Sequence, residues 1–93
     1  MSEAKQLQED LGVNQTVVLK YPVRLATGQH LTEVTLRRAR VGDIRAVAHL
    51  GSDSEQELAI FARLTGLVPE DLDMLDIADY KVLQETFRTS QEQ

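Results

Sequence analysis

Four aspartates at short spacing, Asp71, Asp73, Asp76 and Asp79, are the densest set of hard oxygen ligands in the chain. A calcium loop needs such ligands at alternate positions, a glycine at its sharp turn and a glutamate to close it. Here Met74 and Leu75 break the alternation and no glycine follows Asp73, so helix capping and solvated charge explain the run better than a metal. His30 and His49 are the only imidazoles, and neither has a second His or a Cys at ligand spacing. A general base needs a nucleophile or a substrate pocket beside it, and no Gly-x-Ser-x-Gly elbow is present. Asp53-Ser54 at a helix start is the arrangement on which small acidic carriers hold phosphopantetheine, but glutamate follows Ser54 where those carriers have leucine. The chain therefore reads as a non-enzyme that needs no metal and no cofactor.

Arg37, Arg38, Arg40 and Arg45 form the one basic cluster. Two readings are open: a patch for an anion or an acidic partner, or a solvated face at the base of a hairpin. Nucleic acid is disfavoured, because the net charge is -5 and no aromatics interleave the arginines. The same charge disfavours an anionic membrane surface. No apolar run is long enough to span a bilayer, and residues 1–10 lack the apolar core of a signal peptide. With no cysteine among 93 residues, disulfides and thiolate metal sites are excluded. The expected location is the cytoplasm.

These residues must be positioned by one small domain, since 93 residues supply one modest core. Residues 1–14 are polar and are expected to form a mobile arm; 15–88 form the domain; 89–93 form a frayed polar tail. Thr16 to Ala26 reads as a strand, with Val17, Leu19, Tyr21, Val23 and Leu25 alternating toward one face. Pro22 cannot donate to a ladder and belongs at an edge. Gly28 centres a turn, and Leu31 to Arg38 returns as a second strand with Val34 and Leu36 on the buried face. Arg40 to Leu50 reads as a helix with an Ile44, Val47, Ala48 stripe, ended by Gly51. Ser52-Asp53-Ser54-Glu55 is a capping-box signature opening a helix over Asp53 to Thr65. Leu58, Phe61, Ala62 and Leu64 supply its apolar face.

The next stretch, Leu64 to Tyr80, packs two helix boundaries together. Gly66 suits the left-handed position after a helix, and Pro69 suits the first turn of a new one. Asp76 is placed to cap the last helix, with Asp79 as a variant capping-box partner and Leu75 and Tyr80 as a hydrophobic staple. Ile77, Tyr80, Leu83 and Phe87 should face inward. The fold class is α+β: an N-terminal β-hairpin followed by three to four short helices. Leu67, Val68, Leu72, Met74 and Leu75 are more apolar than a tiny bend needs. They serve either as core or as a groove for an apolar helix of another protein.

The order of features resembles a known family. Tyr21-Pro22-Val23, Gly28, Val34-Thr35-Leu36-Arg37, Gly42-Asp43, Leu64-Thr65-Gly66-Leu67, Asp71-Leu72, Leu75-Asp76 and Asp79-Tyr80 follow one another as in the small tail assembly chaperones of tailed bacteriophages, the E-type proteins of Mu-like and related contractile-tailed phages and prophages. The resemblance covers about Leu19 to Phe87. Ala39 and Arg40 stand where that pattern often has proline and a small hydroxyl residue; Arg40 cannot accept capping N–H bonds, and Asp43 offers favourable charge instead.

The resemblance implies a chaperone that binds the long apolar tape-measure protein before the tail tube forms around it. It implies a place in the host bacterial cytoplasm and absence from the mature virion. Tail tube subunits and a frameshifted longer form of the chain are further implied partners. Free hairpin edges would allow a homo-oligomer. Candidate partner-binding residues are Leu67, Val68, Leu72, Met74, Tyr80 and Phe87. The alternative is a small bacterial or prophage adaptor or regulator that binds one folded protein in fixed stoichiometry.

Overall fold

The computed structural model describes residues 14–91. The arm expected over 1–14, apart from Asn14, lies outside the described residues, as do the last two residues of the expected tail. The element order is β1 (Gln15–Arg24), β2 (His30–Leu36), α1 (Val41–Val47), α2 (Asp53–Thr65), α3 (Pro69–Leu72) and α4 (Ile77–Gln91). An antiparallel hairpin followed by four helices is the α+β architecture read from the sequence.

The hairpin has one face against the helices. Val17, Leu19, Val34 and Leu36 are buried in the main core with Phe61, Leu64, Leu72 and Leu83. Thr16 and Thr35 bridge their hydroxyls at 3.1 Å on the solvent face. Gly28, at φ 91°, closes the turn and donates its N–H to the Leu25 carbonyl at 2.8 Å. A β-carbon is strained at such a φ, which is why glycine holds this place.

The strand alternation fails at one place. Val18 pairs with Glu33, but the next pair is Val23 with Leu31. Leu19 to Pro22 thus stand opposite Thr32 alone. Such a bulge bends the strand and re-aims its side chains, so Tyr21, expected inside, is 49% exposed.

α1 is shorter than the Arg40 to Leu50 span expected, and its apolar stripe does not face the core. Only Val47 of that stripe is buried; Ile44 is 50% exposed. Asp43 and Val47, one turn apart, form the inward side, and the ion pairs of Asp43 fix that orientation. The helix stops at Val47, and the Leu50 N–H returns to the Val47 carbonyl, ahead of Gly51.

α2 follows the sequence closely. The Ser52 hydroxyl accepts from the Glu55 N–H at 3.2 Å, and Gly66 ends the helix at φ 77° with its N–H on the Ala62 carbonyl. Phe61 is fully buried and meets Tyr80 and Phe87 edge-on, with ring centroids 5.5 and 5.4 Å away. Leu83, also fully buried, completes the α4 side of the core. Ile77, expected to face inward, is 69% exposed. It is the first residue of α4, one turn short of Tyr80, where the helix first meets α2. At the other end α4 continues to Gln91, because Arg38 Nη1 donates to the Ser90 carbonyl at 2.7 Å and ties that turn to the base of the hairpin.

Candidate functional site

Two buried carboxylates hold the elements around the bend in register. Asp79 does not close a capping box. Asp76 alone caps α4, its Oδ1 accepting from the Ala78 N–H at 2.8 Å. The Asp79 carboxylate instead crosses to the bulge in β1, accepting from the Lys20 N–H at 2.9 Å and the Tyr21 N–H at 3.0 Å. The bulge takes these amides out of the ladder, and a buried amide needs an acceptor. Asp79, only 2% exposed, supplies one oxygen to each. The start of α4 is thereby fixed to the hairpin.

Asp43 performs the second tie. Arg37 Nη2 and Nη1 donate to its two oxygens at 2.7 and 2.9 Å, Arg63 Nε donates at 2.9 Å, and the Arg40 N–H donates at 2.9 Å. One carboxylate thus joins the end of β2, the start of α1 and the last turn of α2. Hydrogen bonds from Arg37 hold its carboxyl well below the usual carboxylate range; burial opposes this, and the Arg40 N–H and Arg63 reinforce it. The basic cluster read from the sequence is accordingly divided. Arg37 is committed to Asp43 and Arg38 to the Ser90 carbonyl, while Arg40 and Arg45 point into solvent beside the exposed Val41 and Ile44.

Between these ties lies the bend. The Asp71 and Leu72 N–H groups return to the Val68 carbonyl, Asp73 N–H to Pro69, Met74 N–H to Asp71 and Leu75 N–H to Leu72. The backbone satisfies itself turn by turn, with Pro69 in the first turn of α3. The six candidate contact residues separate into three groups. Val68 and Met74 are on the surface, 53% and 54% exposed. Leu67, Tyr80 and Phe87 are half-buried against the core. Leu72 is buried and supports the bend from beneath.

Tyr80 presents little free polarity, since its hydroxyl donates to Glu57 Oε2 at 2.8 Å. Burial first, and the bond to Glu57 second, push the phenol well above its ordinary range. Phe87 reaches an open groove of about 730 Å³ beside α4, where its other neighbours are the long side chains of Glu57, Lys81, Gln84, Glu85, Arg88 and Gln91. Ile77 belongs with Val68 and Met74 as an outward apolar residue, although the helical periodicity of α4 alone placed it inside. Its position directly after the capping Asp76 was the available sign, because a first-turn residue can lie beyond the packed face.

Among the described residues, no group of three His, Cys, Asp or Glu is placed to hold a metal ion. No helix among them is long and apolar enough to cross a membrane. What the fold presents is a small α+β domain with apolar side chains held outward on a braced bend. A protein-family model for phage tail assembly chaperone proteins, described as E, or 41 or 14, matches residues 16–91. The chain belongs to this family. No curated protein and no solved structure matches it.

Proposed function

We propose that this chaperone binds the tape-measure protein, keeps it soluble and assists assembly of the tail tube, without catalysis. The observation that carries the reading is the outward set of Val68, Met74 and Ile77, apolar side chains on a bend that two buried carboxylates brace. Burying such side chains against a client removes apolar surface from water on both partners. The net charge of -5 then keeps the complex dispersed. Leu67, Tyr80 and Phe87 flank the contact, and Leu72 holds its floor. The protein acts in the host bacterial cytoplasm and leaves before the virion matures. Tail tube subunits and a frameshifted longer form of the chain are its further partners.

Hairpin pairing between copies would favour the outer edge of β2 over the middle of β1. On β1, Asp79 occupies the Lys20 and Tyr21 amides and Pro22 has none to offer.

The test is co-expression with the tape-measure protein encoded nearby, scoring its solubility and co-purification. A soluble tape-measure protein that elutes with this chain supports the reading. If it stays insoluble, the longer form is co-expressed next; failure with both forms overturns the reading.

A further inference from the structure

The bend combines outward apolar groups with an unusually one-sided charge. Between Arg63 and Lys81 the chain carries five carboxylates and no lysine, arginine or histidine. Asp79 is spent on β1, which leaves Glu70, Asp71, Asp73 and Asp76 interleaved in sequence with the exposed Val68, Met74 and Ile77. Among the described residues, no hydrogen bond or ion pair occupies the carboxylates of Glu70, Asp71 and Asp73. Any partner that covers the three apolar side chains must therefore approach these four negative charges, against the single exposed cation Lys81 one turn along α4 from Ile77. An apolar partner with acidic flanks is repelled, and one with basic flanks is drawn in.

The backbone fixes the partner's conformation as well. The N–H groups of Asp71, Leu72, Asp73, Met74 and Leu75 all donate within the bend. An extended peptide finds no ladder to join there, so the partner must satisfy its own main chain, as a helix does. Another outward apolar pair, Val41 and Ile44 on α1, stands beside Arg40 and Arg45. That surface has the opposite charge preference and serves as an internal control.

We propose that the bend docks a basic amphipathic helix of the client. Its apolar stripe covers Val68, Met74 and Ile77, and its flanking lysines or arginines meet Glu70, Asp71, Asp73 and Asp76. The proposal rests on the client-binding reading and specifies the client's chemistry.

The experiment uses the whole chain and two labelled helical peptides with the same leucine stripe, one flanked by Lys and Arg, the other by Glu. Binding is read by fluorescence anisotropy. The basic peptide should bind at least about tenfold tighter, since charge at a rim sets selectivity. Raising the salt from about 0.05 to about 0.5 M should remove most of that difference, because the screening length falls below the charge spacing. Asp73→Lys should weaken the basic peptide and strengthen the acidic one, with the circular dichroism spectrum unchanged. Ile44→Asp on α1 should leave the affinity for the basic peptide as it was. Equal affinity of the two peptides, no binding of either, or loss of basic-peptide binding in Ile44→Asp overturns the proposal. So does a self-associated protein that Met74→Asp dissociates and the basic peptide does not, since the bend then belongs to a second copy. If the tape-measure protein co-purifies equally well with Asp73→Lys, the client reading stands and this one falls.

Discussion

Removing the Asp79 carboxylate should cost more than its place in the first turn of a helix suggests. Asp79→Ala leaves the Lys20 and Tyr21 amides, 2.9 and 3.0 Å from its oxygens, without an acceptor. An orphaned buried donor costs about 1–3 kcal/mol. The residues carrying these amides are themselves exposed, so water partly replaces the carboxylate and the lower half of that range applies. Two amides then give a loss of about 3 kcal/mol. Asp79→Asn keeps one acceptor but turns an NH₂ toward the other amide, for a loss of about 2 kcal/mol. Domains of this size have about 5–10 kcal/mol in total, and each kcal/mol moves Tm by about 4–8 °C. Asp79→Ala should therefore melt more than about 12 °C below wild type. The assay is urea unfolding at pH 7 followed by circular dichroism, with amide exchange of Lys20 and Tyr21 read by NMR. Both amides should lose protection selectively while those of α2 keep theirs. A variant within about 0.5 kcal/mol of wild type, with both amides still protected, would refute the reasoning.

Asp43→Ala should cost about 2 kcal/mol in the same unfolding assay, less than a fully buried pair would, because Arg37 and Arg63 are 40% and 46% exposed and recover water. The depressed carboxyl of Asp43 stabilises the fold at any pH above the ordinary carboxylate value of about 4. As pH falls below that value the unfolded chain takes up a proton that the native state refuses, so wild type should lose stability with acid more steeply than Asp43→Asn. Phe61→Ala removes a fully buried ring with two edge-on partners and should cost about 3–5 kcal/mol by urea unfolding. Met74→Asp changes a side chain 54% exposed, so stability should stay within about 0.5 kcal/mol of wild type while co-expressed tape-measure protein loses solubility.

The local features of this fold were legible in the sequence because their causes are local. Ser52 and Gly66 bound α2 through contacts within four residues, and Pro69 starts α3 through its own missing N–H. The features that misled are tertiary. Asp79 has the spacing of a capping-box partner, and only the fold reveals two unpaired amides 58 and 59 residues away that claim it. Pro22 inside an alternating strand was the available sign that the ladder breaks there. Ile44 lost its inward place to Asp43, a polar residue whose burial depends on Arg63 arriving from α2. At the bend, apolar density marked the region but could not divide it. Leu72 and Met74 differ by two positions and by 3% against 54% exposure, a difference set by what lies beneath them.

The tie between Asp79 and β1 also bears on how the chain is made. β1 and β2 leave the ribosome first, and their apolar face of Val17, Leu19, Val34 and Leu36 has no cover until the helices follow. The carboxylate that fastens β1 arrives 58 residues later, on the last helix, together with Leu83. Contacts so distant in sequence form late, because the intervening loop must be closed before they reward it. For most of its synthesis this chaperone is itself an unfinished chain with an uncovered apolar sheet, and its vulnerable interval ends only when α4 docks.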